Sequence, residues 1–240
     1  MILAALPLMF AASLSSADAL VTVLNSSNAV SVRVFAEAKA TVEREAKEGK
    51  PLQQFVIGLT SNDKALAKRY LDGSRDKIRN MAEKRNNPMA WYLLSMENND
   101  LKLLQKAADG GNVQALNALG AMAIQEAFNY NIPSNSLERI LRRGYECFQK
   151  AVEQCDPNGF INLGTCYLRG FGCKEDKKLA FSCFKAAADA GHPEGMDNVS
   201  ACYQFGHGVR ADMGESLVWQ MRGRAARGDA AAEKWLKERK

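Results

Sequence analysis

Histidine is almost missing from this chain: there are two in 240 residues, alongside six prolines and six cysteines. The two are His192 and His207. A zinc site normally shows closely spaced cysteine ligands together with histidine. Here no two cysteines stand as C-x-x-C, so no metal site is expected. Cysteine catalysis needs a histidine and a group to orient it, and neither histidine has such a context. From Arg33 to Lys240 no stretch approaches the roughly 18 apolar residues of a membrane-spanning helix. Charge is not strongly of one sign either. The net charge is +5 and the pI is near 8.8, too mild to imply nucleic acid or a membrane surface. The basic stretches Lys64–Arg85, Arg222–Arg227 and Lys234–Lys240 contain or adjoin acids, which is the composition of a solvated helix face. No nucleic-acid partner is expected.

What the chain does have is apolar bulk, 47% by residue, enough to bury a core. From about Phe35 onward Leu, Ala, Glu, Lys and Arg dominate, a helix-forming composition. The N-terminus reads differently. "MILAALPLMFAASLSSADA" carries an apolar run from Ile2 to Ala12 and ends Ala17-Asp18-Ala19. That is the order of a secretory signal peptide, without the usual Lys or Arg before the apolar run. We therefore expect a signal peptide over 1–19 and a secreted or periplasmic protein. The other readings are an apolar capping helix or a misplaced start, with a cytoplasmic protein. Residues 20–33 read as a linker or short extended segment, and helical composition begins at Val34.

An internal repeat organises the rest. At an offset of 36, Asn162 meets Asn198, Cys166 meets Cys202, and Tyr167 meets Tyr203. Gly170 and Gly172 meet Gly206 and Gly208, and Asp176 meets Asp212. The site of Gly164 recurs at Gly58, Ser95, Gly120 and Ser200, irregularly before Gly164 and regularly after it. Each unit divides into two helices, about Asn158–Leu168 and Lys178–Ala190, with apolar residues near i, i+3, i+4, i+7. The Gly170-Phe171-Gly172 turn joins them. Gly191 is placed to end the second helix and Pro193 to open the next. Asp176 and Asp212 read as N-terminal caps. The paired glycines follow helices rather than strands and lack a Gly-Lys-Ser/Thr ending, so they are turns and not a phosphate loop. Two-helix units of this length cannot bury their faces alone, and stack.

The stretch "AFSCFKAAADAGHPEGMDNVSACYQFGHGV" resembles a Sel-one-like repeat, a relative of the tetratricopeptide repeat. The matching positions are Ala180, Phe184, Ala187, Ala188, Gly191, Val199, Tyr203, Gly206, Gly208, Val209 and Asp212. The preceding unit supplies Leu163, Gly164, Tyr167, Gly170, Gly172 and Asp176. The resemblance implies an all-α fold, an α/α superhelical solenoid of antiparallel helix pairs. It is strong over 101–240, closed by a capping half-repeat with Trp235 at the leucine position. It is partial over 34–100, read as divergent helical repeats. Departures are Cys147 and Cys183 at aromatic positions, Ser200 and Cys155 at glycine positions, and the insert "FNYNIPSNSLERILRR".

Family resemblance further implies a non-catalytic scaffold or adaptor, with no cofactor, that binds a protein or peptide on its concave surface. The positions free to vary there are Gln114, Asn117 and Ala121; Asn158, Ile161, Thr165 and Leu168; and Glu194, Asp197, Ala201 and Gln204. Cysteine-rich exported members of the family staple their helix pairs, and some have been linked to β-lactam binding. The alternative for this chain is therefore an exported, disulfide-stapled repeat protein with small-ligand binding or weak hydrolase activity. Cys147/Cys166 and Cys183/Cys202 share a spacing of nineteen, which makes them the candidate bridges. The family's own cysteines are differently spaced, so buried thiols remain the other reading.

Overall fold

The computed structural model describes residues 32–128 and 132–239. The expected signal peptide over 1–19 and nearly all of the 20–33 linker lie outside them. Twelve helices and no strand occur among the described residues. They are α1 (Val32–Lys47), α2 (Pro51–Thr60), α3 (Lys64–Arg85), α4 (Pro88–Asn98), α5 (Leu101–Asp109) and α6 (Val113–Phe128). There follow α7 (Ser134–Glu153), α8 (Pro157–Arg169), α9 (Lys177–Asp189), α10 (Pro193–Phe205), α11 (Met213–Ala226) and α12 (Ala230–Lys237). From α2 to α5 and from α7 to α12 each helix packs on the next, in an all-α solenoid. Helix α1 starts at Val32, two residues inside the segment read as linker. Among the described residues no helix is long and apolar enough to cross a membrane.

Contacts divide the described chain into two units, one holding residues 34–115 and the other 116–239. The division falls inside α6, where the repeat resemblance placed its own change at 100/101. In the first unit α2 packs on α3, α3 on α4, and α4 on α5. Phe55, Val56, Ile78, Ala82, Trp91, Leu93 and Leu94 form its core. In the second unit Phe148, Leu163 and Cys166 make one cluster. Ala180, Phe184, Ala188, Val199, Cys202 and Trp219 make the next.

Helix ends follow from local chemistry. Asp63, Asn87, Asp100, Asp156, Asp176, Asp212 and Asp229 each accept a backbone N–H from the first turn they precede. Capping satisfies donors that have no intrahelical partner. The caps expected at Asp176 and Asp212 are in place. The second helix ends as expected at Gly191, whose φ is +85°. The Gly191 N–H donates to the Ala188 carbonyl (2.9 Å) and the His192 N–H to that of Ala187 (3.0 Å), the paired bonds of a Schellman motif.

The irregular glycine spacing has a simple cause. Gly58, Ser95, Gly120, Gly164 and Ser200 are each the eighth residue of their helix, in α2, α4, α6, α8 and α10. All five are buried. The register of these first helices is constant, and the lengths of what lies between them vary. The insert before α8 separates Gly120 from Gly164 by 44 residues where the next interval is 36. From Ser134 onward it forms the N-terminal part of α7. A Cβ on Gly120 would lie 2.5 Å from the Phe148 ring, and one on Gly164 2.7 Å from the Phe184 ring. Glycine is therefore what lets those rings reach the helix. The Ser200 hydroxyl instead donates to the Ser216 carbonyl at 2.8 Å. Counting from the helix start also puts Leu236, not Trp235, at the leucine position shared by Leu163 and Val199. This corrects the expectation for Trp235.

Candidate interaction face and repeat junctions

The eleven residues singled out as a binding face occupy positions two, five, nine and twelve of α6, α8 and α10. The structure separates them into two groups. At positions nine and twelve Ala121, Thr165 and Gln204 are exposed, Ala201 is half-buried, and Leu168 is half-buried against the neighbouring core cluster. At position two, Glu194 is exposed and Gln114 and Asn158 are half-buried. Position five is different. Ile161 is only 5% exposed, so its side chain belongs to the packing and offers nothing to a ligand. Asn117 donates its amide to the Asp156 carboxylate at 2.7 Å and accepts from Asn162 at 3.3 Å. Asp197 pairs with the Arg227 guanidinium. Position five is a junction between one first helix and the start of the next.

Asp156 shows how a junction works. Its carboxylate caps α8 through the Gly159 N–H at 2.7 Å while Asn117 holds it from α6. Burial lifts its carboxyl above the ordinary range, and the bonds from Gly159 and Asn117 oppose that rise. At the start of α10 the same place is taken by His192, which makes no cap bond. The ring is 7% exposed, and neither nitrogen has a hydrogen-bond partner. By register, the residue facing this cap from α8 is Ile161, which has no polar group to offer. Burial first, and then the Arg227 charge, push the imidazole pKa down to about 4.

Of the six cysteines, Cys166 and Cys202 are buried, Cys155 is exposed, and Cys147, Cys173 and Cys183 are half-buried. Cys183 packs with Cys173 on the cluster that contains Cys166, whereas Cys202 belongs to the neighbouring cluster. The shared spacing of nineteen made Cys147/Cys166 and Cys183/Cys202 candidates, but side-chain direction decides a bridge. Burial pushes the Cys166 thiol up to about 12 and those of Cys183 and Cys202 to about 11. Thiols so placed are poor nucleophiles at neutral pH. Among the described residues no group of three or more His, Cys, Asp or Glu side chains is arranged to hold a metal ion.

Several residues of the basic runs are engaged within the fold. Arg75 binds Glu97 from α3 to α4 at 2.8 Å. Arg222 lies over the Trp219 ring at 4.3 Å, and Arg224 bonds Asp229 at 2.7 Å. The Gly-x-Gly turns also stay within the fold. A Cβ on Gly172 would strike the backbone of Leu141, and one on Gly208 that of Lys177. These turns dock against the preceding second helix.

Sequence reasoning missed the exposed aromatics at the loop ends. Phe128 (64% exposed) meets Phe171 edge-on at 5.2 Å, and Phe205 (62% exposed) lies 5.7 Å from the His207 ring. Their only signal was position, Phe171 between two glycines and Phe205 just before the next pair.

The family profile described as "Sel1 repeat" matches residues 101–112, 140–154, 161–192 and 193–219. No curated protein matches the chain. Among solved structures, the chain resembles a protective antigen of uropathogenic Escherichia coli strains that displays an SLR fold. The TM-score is 0.53 and the identity 20%, over 84% of this chain and 45% of the antigen. The chain thus spans under half of that protein's length. It also resembles a Sel1 repeat protein from Oxalobacter formigenes, at TM-score 0.44 and 25% identity, over 52% of this chain and 90% of the other. Of the two, the antigen bears on the fold, and at its identity on nothing else. Repeated profile matches, first helices in constant register and a shared solenoid fold converge: the stretch from residue 101 to 219 carries Sel1 repeats.

Proposed function

We propose that the protein is a non-catalytic scaffold that holds a protein or peptide against the first-helix face of α6, α8 and α10. Sel1 repeats generally serve as protein-interaction scaffolds, and stacked repeats offer extended concave surfaces. The observation that carries the reading is the split within the face. Positions seven and eight are buried in each of these helices and position five is mostly tied into junctions, while position nine is exposed at Ala121 and Thr165 and half-buried at Ala201. These side chains change from copy to copy, and Gln204 stands exposed beyond Ala201. A constant frame with variable open positions is what selective binding needs.

Nothing favours chemistry at this face. The buried thiols are held protonated, and Cys183 and Cys202, a pair that the stapled alternative would join, pack on different clusters. The test is a photo-crosslinking residue placed at Thr165 or Ala201, and separately at Gln220 on α11. Trapping of a protein from the first two sites and not the third is the expected result. Equal trapping from all three would remove the assignment of this face. The proposal also takes residues 1–19 as an export signal. Sequencing of the mature N-terminus should then begin near Leu20, and a mature chain starting at Met1 would reject export by this signal.

A further inference from the structure

The start of α10 is the one junction in the second unit where a buried titratable ring stands in the place of a satisfied cap. Asn112, Asp156 and Asp229 each accept a backbone N–H at the equivalent point. His192 accepts none, and both of its nitrogens are buried without a partner. We propose that His192 is a proton-operated latch: a proton taken up by the buried ring unseats the α9–α10 turn from the C-terminal end of α11 at Arg227.

The charges around the ring set the direction. From α11 comes Arg227, whose positive charge opposes a second one on the imidazole. On α10 itself Asp197 is committed to Arg227, and Glu194 is exposed to solvent. At the end of α9, Asp189 is exposed and paired with Lys185, and the buried residues before it are Ala186, Ala187 and Ala188. At the start of α12, Asp229 is held by Arg224. Facing positions of α8 carry Asn158, Ile161 and Asn162, which have no charge. No carboxylate is hydrogen-bonded to the ring where it now sits, and Glu194 and Asp197 both interact with Arg227. A protonated ring can only leave its place or displace Arg227, which pairs with Asp197 of α10 from the end of α11.

The sign follows from linkage. The folded ring has a pKa near 4 and the unfolded one near 6.5, so the unfolded chain binds the proton more tightly. Stability from the neutral ring is complete above pH 6.5 and is lost as pH falls toward 4. Between pH 7 and pH 5 the folding equilibrium shifts against the folded form by roughly twenty-fold from this group alone.

The test compares the full chain with His192→Asn, which can cap α10 and cannot take a proton. Urea unfolding at pH 7 and pH 5 should show the wild type losing roughly twenty-fold more in its folding constant than the variant. Hydrogen exchange, corrected for intrinsic rates, should open first at Gly195–Met196 and at Arg224–Gly228 in the wild type at pH 5. Equal pH sensitivity in the two proteins would overturn the proposal, as would opening that begins elsewhere. The chain has two histidines, so the His192 ring can be assigned and titrated by NMR in the wild type without any variant. A midpoint near 6.5 for that ring would also overturn it.

Discussion

Gly206 and Gly208 stand two residues apart in one turn and are glycine for different reasons. Gly206 caps α10 at φ +69°, and an added Cβ would meet nothing closer than 3.6 Å. Replacing it with alanine should cost about 1 kcal/mol, the strain of a left-handed residue. Gly208 has φ +75° and lies against the Lys177 backbone. There a Cβ adds a clash that backbone must move to relieve, and Gly208→Ala should cost about 3 kcal/mol. Urea denaturation of both variants measures the difference, and equal costs would refute the docking of this turn. Cys155 is the converse case. It adopts φ +59° where Gly111, Gly191 and Gly228 end equivalent helices at +86°, +85° and +89°. Cys155→Gly should stabilise the protein by about 1 kcal/mol. The departure from glycine was visible in the sequence, but that the cysteine keeps the left-handed conformation rather than changing the turn was not.

Between helices, the junctions grade by burial. Asn117 serves a carboxylate that is 7% exposed, so Asn117→Ala leaves a buried acceptor short of a donor and should cost about 1–3 kcal/mol. The Asp197–Arg227 pair has side chains 44% and 35% exposed. Solvent screens it, and Asp197→Asn should cost under about 1 kcal/mol. Chemical denaturation at pH 7 decides this, and a larger cost at Asp197 would reverse the ranking. The helices themselves were legible. Asn158–Leu168 and Lys178–Ala190 were expected, and Pro157–Arg169 and Lys177–Asp189 are found, because apolar periodicity, Asp caps and Gly stops are local signals. The junction role of position five was not legible. Asn117, Ile161 and Asp197 differ in chemistry, as residues of a variable binding face would, and their common task appears only when the next helix start is placed beside them.

At the scale of the whole molecule, thiol state separates the solenoid from a stapled scaffold. Denatured without reductant, the protein should titrate as six thiols with Ellman's reagent; any smaller number would mean bridges. In the native protein the exposed Cys155 should react first, and Cys166 and Cys202, each 1% exposed, should react only as fast as the fold opens. The sequence by itself determined the all-α class, the two-helix unit, the caps and turns, and the resemblance of residues 101–219 to Sel1 repeats. All of these rest on interactions spanning a few residues or on identity recurring at a fixed offset. Tertiary structure alone decided which cysteines share a cluster, which face residues remain open, and that His192 is buried without a partner. Those outcomes depend on side-chain direction and on what the neighbouring helix presents at one point, and periodicity carries no record of either.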